Sequence, residues 1–214
     1  MQRTLQPELL DSLPPFHPDA LHGRRDLRLI NRIMGNHRWF ERTLPPLLRP
    51  GERVLELGAG TGELGRRLAD RRVSADGLDL WPRPAQWPQA CAWHSADLLA
   101  FDRYDFYPVV IGNLIFHQFA DAELGRLGRS LRTSARLIVA CEPVRRRTSQ
   151  VIFALIAPLL GANRVTRHDG HVSIAAGFRG RDLPRLLGFD ASRWDCRCTT
   201  TPLGAYRMVA VRRE

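Results

Sequence analysis

The run Val54-Leu55-Glu56-Leu57-Gly58-Ala59-Gly60-Thr61-Gly62-Glu63-Leu64 constrains this chain more than any other stretch. An apolar strand passes into a glycine-rich turn and then a helix. Glycines there let the backbone swing tightly and approach a ligand closely, and the helix N-terminus offers unpaired N–H groups. Around this run, short apolar segments alternate with longer amphipathic ones, the pattern of βαβ units and a parallel sheet. Strands are expected at 53–57, 74–79, 91–95, 107–113 and 136–141, with helices such as Glu63 to Asp70 and Asp121 to Leu131 between them. A helix at 180–187 leads to two late strands, 192–199 and 205–212, whose short Thr201-Pro202-Leu203-Gly204 connection makes them antiparallel.

The amino-terminal part reads differently. Residues 1–16 are polar, Pro-bearing and weakly patterned, a segment that wraps over something else or frays, and no chemistry is expected of them. From Pro18 the pattern turns helical, with Leu27, Ile30 and Met34 on one face; Asn36 is placed to cap a second helix carrying Trp39, Phe40 and Leu44. Residues 1–48 thus form a helical cap on a domain spanning 49–214, which carries an insertion at about 143–180. Within that insertion, the Gly- and His-bearing stretch 161–178 reads as a loop or hairpin.

Composition removes several function classes. A chain of 214 residues with 44% hydrophobic and 25% charged residues can bury a core, which excludes disorder and a disulfide framework. The net charge of +10 invites a nucleic-acid reading, yet all 32 basic residues are Arg, a pattern that codon bias explains as readily as an anionic partner. They are scattered, with one triplet at Arg145 to Arg147. Without lysine, Schiff-base chemistry and P-loop phosphate binding are excluded. Cys91, Cys141, Cys196 and Cys198 have no CxxC spacing, so no metal is expected. Reduced cysteines, no signal-peptide stretch and no apolar span of membrane length fit a cytoplasmic setting.

The glycine turn also discriminates among nucleotides. A dinucleotide fingerprint wants glycine where this chain has Glu63, since a carboxylate beside a pyrophosphate is repulsive. Glu56, two positions before Gly58, suits a cationic ligand better. The ExGxGxG pattern resembles motif I of the class I S-adenosylmethionine (SAM) dependent methyltransferases. Asp79, ending the second strand, can accept both ribose hydroxyls. Asp97, in Ser95-Ala96-Asp97-Leu98, matches the position that in this family bonds the adenine amino group. Val109 to Phe119 looks like the family's fourth-strand motif, whose end at Asn113 lines the methyl-transfer cavity. The resemblance covers residues 50–142 and implies a Rossmann-like α/β fold with a mostly parallel seven-stranded sheet, an antiparallel final strand and SAM as cofactor. It places Glu56, Gly58, Ala59, Gly60 and Gly62, then Asp79 with Leu80, Asp97 with Leu98, and Asn113 around that cofactor. Taken singly, Glu56 also reads as a solvated strand end, Asp79 as a helix cap and Asp97 as a turn residue.

Methyl transfer from a sulfonium is an in-line displacement in which the protein mainly aligns the partners, and a phenolic acceptor benefits from a general base. His117, just past the fourth strand, is the first candidate; the other reading has it pack beneath the cavity. His168 and His171, near Asp169 in the insertion, are further candidates, or else polar residues of a hairpin tip. The family's amino-group enzymes on bases show a [DNS]PP[YFW] element where this chain has Asn113-Leu114-Ile115-Phe116, so no nucleic-acid partner is expected. The apolar run Val151 to Leu160 reads as a buried cover helix or as a lid over a hydrophobic pocket, and Arg145 to Arg147 before it would suit peripheral contact with an anionic membrane. The expectation is a SAM-dependent methyltransferase, O-methylating a hydrophobic small molecule (phenolic, quinone-like or polyketide-derived). The chain also resembles bacterial methyltransferases that accompany polyketide biosynthesis. The alternatives are a catalytically degenerate SAM-binding module serving a partner enzyme and, behind it, a nucleic-acid or protein methyltransferase.

Overall fold

A computed structural model of the protein describes residues 1–14 and 16–213. Its seven strands are β1 (Val54–Leu57), β2 (Ala75–Asp79), β3 (Trp93–Ser95), β4 (Val109–Asn113), β5 (Leu137–Pro143), β6 (Trp194–Thr200) and β7 (Ala205–Arg212). They form one sheet in the order β3-β2-β1-β4-β5-β7-β6, in which every pair not involving β7 is parallel and β7 runs antiparallel to both β5 and β6. The chain order reverses between β1 and β4, and at such a switch point the loops diverge to leave a cleft at the strands' carboxyl ends.

Both faces of the central strands are covered, so β1 is buried at all four positions and β5 at all seven. One face packs against α5 (Asp121–Ser134) and α8 (Asp182–Leu186), where Leu124, Leu127, Leu131, Leu183 and Leu187 meet Leu55, Leu57 and Ile138. The other carries α3 (Asn36–Thr43) and α4 (Glu63–Ala69), through Phe40, Leu64 and Leu68.

Several expectations need correction. The stretch read as a loop or hairpin is a helix, α7 (Arg164–Ala176), capped by the Asn163 side chain, which accepts from the Thr166 N–H at 2.9 Å. Val165, Asp169, Val172 and Ala176 share its buried face. Gly170 sits inside it because the Phe153 ring of α6 (Arg147–Leu159) lies 2.2 Å from where a β-carbon would stand. The α6 run is neither a buried cover nor a lid on the cavity described below: Ala157 is its one buried residue, and α7 lies between it and that cavity. On α2 (Pro18–Met34) the buried positions are Ala20, Gly23, Asp26 and Asn31, while Leu27 is exposed and Ile30 and Met34 are half-buried. Small and hydrogen-bonding residues face inward there because Asp26 accepts from the Thr166 hydroxyl of α7 at 2.7 Å. Gly35, at φ 66°, ends α2 and starts α3, so Asn36 does not cap; its amide donates to Asn31 at 3.0 Å.

Residues 1–12 wrap and do not fray. Thr4 N–H donates to the Ala175 carbonyl, the Arg3 guanidinium donates to the carbonyls of His117, Phe119 and Ala176, and the short helix α1 (Leu9–Ser12) starts on Asp169, which accepts the N–H of Leu9 at 2.7 Å and of Leu10 at 3.0 Å.

Candidate functional site

The strand-to-helix turn after β1 is built on three glycines in the left-handed region, Gly58 at φ 61°, Gly60 at 53° and Gly62 at 72°. A β-carbon at Gly58 would lie 2.6 Å from Ile115, and one at Gly62 would lie 2.7 Å from Trp87. At Gly60 the nearest atom would be 3.9 Å away, so this glycine faces open space. Asp79 closes the turn: its carboxylate accepts the N–H of Gly60 at 2.8 Å and of Trp81 at 2.9 Å, leaving acceptor capacity for further donors. Leu80 beside it is exposed, whereas the side chains of Ala59 and Leu98 are buried in apolar clusters. Asp97 is exposed and accepts the Leu99 N–H at 2.8 Å.

Two polar atoms near this turn are buried without a partner among the described residues, Glu56 Oε2 and Asn113 Oδ1. Glu56 is turned toward Gly65 at the start of α4, and burial, reinforced by the charge of Asp79, pushes its carboxyl up to about 8. Asn113 is oriented by Asn31 of α2, whose carbonyl oxygen accepts from its amide at 3.0 Å. The next residue, Leu114, is held at φ 58°. That conformation is costly for a branched side chain and turns the chain sharply into the 3-10 segment Phe116–Gln118.

Glu142, fully buried in β5, stabilises this segment by accepting the N–H groups of Ile115 and Phe116, both at 2.9 Å, and of His117 at 3.2 Å. The same carboxylate faces His117 Nδ1 at 2.6 Å. Across the ring, Nε2 lies 3.2 Å from Glu8 Oε1, and Glu8 also accepts from the Ser173 hydroxyl. Burial alone would depress the imidazole, but the two carboxylates outweigh it and hold His117 as an imidazolium, up at about 10. For Glu8, burial acts to raise the carboxyl and the His117 charge and hydrogen bonds win, leaving it below its usual value.

His117, Glu8 and Ser173 line a cavity of about 310 Å³, whose other walls are Leu5, Gln6, Pro7 and Asp11 from the amino-terminal segment, Gln118, and Val172 and Ala176 of α7. Asp11 is pushed up to about 6 by burial, then by the charges of Glu8, Asp169 and Asp79. Ile115, two residues before His117, packs on Gly58 of the glycine turn. A second cavity of similar volume, beside Arg181 and Phe189, contains none of these groups.

The sequence candidates divide accordingly. Asp79, the three glycines and Asn113 gather at the cleft, and His117 faces the cavity. His171 is exposed and meets Gln150 of α6 at 3.3 Å, and His168 is exposed beside Asp169 at 3.0 Å. Neither histidine lines the cavity. Glu8 and Glu142 are additions. In the sequence Glu142, before Pro143, reads either as pointing into the cavity or as ending its strand, and Glu8 carries no signal, because its partner lies 109 residues away.

No family model matches the chain, and no curated protein matches it by sequence. Solved structures do. The plantazolicin methyltransferase BpumL, in complex with a pentazolic desmethylPZN analog and SAH, superposes with a TM-score of 0.71 at 11% identity, covering 96% of this chain and 93% of that one. This chain has the class I methyltransferase fold. A structure described as the conversion of a disulfide bond into a thioacetal group during echinomycin biosynthesis matches with a TM-score of 0.59 at 16% identity, covering 84% and 82%. The pyocyanin biosynthetic protein PhzM matches at 0.59 with 19% identity, over 92% of this chain and 60% of that one.

Proposed function

We propose that the protein is a SAM-dependent methyltransferase that methylates an oxygen of a largely apolar small molecule seated in the cavity at His117. The observation that carries this reading is the placement of an imidazole, oriented by Glu142, on a cavity, with Ile115, two residues before it in the chain, packed on Gly58 of the glycine turn. Three features suit a nucleoside bearing a positive charge: the open side of Gly60, the acceptor capacity left on Asp79, and the buried Oδ1 of Asn113, without a partner among the described residues. When bound, such a cofactor supplies an electrophilic methyl group on sulfur. Asp79 would hold the ribose, Asp97 the adenine edge, and Asn113 the donor-rich amino-acid end.

The acceptor needs alignment and loss of a proton. Leu5, Pro7, Val172 and Ala176 give its body an apolar seat, and His117 Nε2 faces the same space. Glu142 fixes the ring with Nδ1 protonated; Nε2, also protonated in the imidazolium, takes the acceptor's proton only after giving up its own. Glu8 faces that nitrogen here, so the base forms when Glu8 takes the Nε2 proton and moves off, leaving a neutral Nε2 to face the acceptor hydroxyl.

Calorimetric titration with SAM and with S-adenosylhomocysteine tests the cofactor assignment, and turnover on a panel of phenols tests the acceptor. Failure to bind either nucleoside overturns the proposal. Binding with no turnover of any acceptor favours the degenerate, partner-serving alternative.

A further inference from the structure

We propose that α6, with the turn into α7 and the adjoining start of α2, is a docking face for an anionic lipid surface. The helix is 13 residues long and buries only Ala157. It is fastened by the Phe153 ring in the Gly170 notch, and its remaining apolar side chains point outward: Leu159 is 84% exposed, Leu155 67%, Val151 57% and Ile152 51%. The start of α2 adjoins this face, where the His22 ring meets the Gly161 carbonyl at 3.1 Å; its neighbour in sequence, Leu21, is 51% exposed. Single exposed apolar residues are ordinary, but a contiguous row on one helix marks an interaction surface.

Charge decides the occupant. Between Val144 and His168 the chain has no Asp or Glu and five Arg. Arg145 turns inward to Asp182 and the Gly177 carbonyl, which leaves Arg146, Arg147, Arg164 and Arg167 exposed at the two ends of the apolar row. The nearest acids on α2 are engaged, Asp26 with Thr166 and Asp19 at the Asn163 cap. Apolar side chains between arginines match an interface of acyl chains and anionic headgroups, where a helix lies in the plane of the surface. A two-fold pairing of this face with a second copy would instead set arginine rims against one another.

Sedimentation of the full chain, without cofactor or acceptor, with vesicles of phosphatidylcholine alone or mixed with phosphatidylglycerol tests the assignment independently of the proposed reaction. Binding is expected on the mixed vesicles, weakened by salt and reduced about tenfold or more by the exposed substitutions L155E/L159E. Absence of binding to the mixed vesicles, or binding that L155E/L159E leaves unchanged, overturns the proposal. So does a solution dimer that the same substitutions convert to monomer, since the face would then belong to a second copy.

Discussion

The Glu142 carboxylate holds His117 twice, through the backbone N–H at 3.2 Å and through Nδ1 at 2.6 Å. One buried side chain therefore sets both the fold of the loop after β4 and the presentation of the imidazole.

Glu142→Gln tests the structural half. The amide cannot accept from the same set of backbone donors and Nδ1, so buried N–H groups lose partners. Stability is expected to fall by about 2–4 kcal/mol, read by chemical denaturation.

His117→Ala is expected to lower methyl-transfer turnover at least roughly tenfold, with little change in SAM affinity by calorimetry, because a positioned base acts on the acceptor only. Equal turnover on the true acceptor would remove His117 from the reaction.

Glu8→Gln separates the two carboxylates acting on the ring. With one negative charge gone, the imidazolium loses its proton at lower pH, and the rising, acidic limb of kcat/KM, set by this base, is expected to move to lower pH. The sign for stability follows from the raised value in the folded state. The contribution of protonated His117 is fully present below about 6.5 and is lost as pH rises through about 10. The variant is expected to show a smaller loss across that window in urea titrations at stepped pH.

Gly58→Ala and Gly60→Ala separate folding from binding. Both positions have positive φ, so each substitution carries strain on the order of 1–2 kcal/mol. At Gly58 the added carbon also meets Ile115 at 2.6 Å, so thermal stability falls further. At Gly60 it enters open space that the proposal reserves for the nucleoside, so SAM affinity is expected to fall more than stability does.

What could be read in advance depended on how local the physics was. From Val54 to Gly62, an apolar run and glycines forced into positive φ leave few alternatives, and the parallel sheet with its reversed β7 followed from the same kind of pattern. Helix α7 escaped detection because His168, Gly170 and His171 interrupt its apolar spacing; the inward face uses Asp169 as a hydrogen-bond anchor and Gly170 as a notch for a ring on another helix. On α2, Leu27 was expected inside by spacing, yet Asp26 and Asn31 are there because their partners, Thr166 and Asn113, come from far along the chain. At the site, Asp79 and Asn113 were legible by their strand ends, while Glu8 sits in a segment with no pattern of its own.

The seating of α1 on Asp169 has a consequence for mutational screens. Leu9 and Leu10 hang from that carboxylate, and Glu8 immediately precedes them, so the grip on Nε2 is only as firm as a side chain 160 residues downstream. Under the proposed reaction, selection for faster or slower catalysis will return changes at Asp169, a position that contacts no reactant.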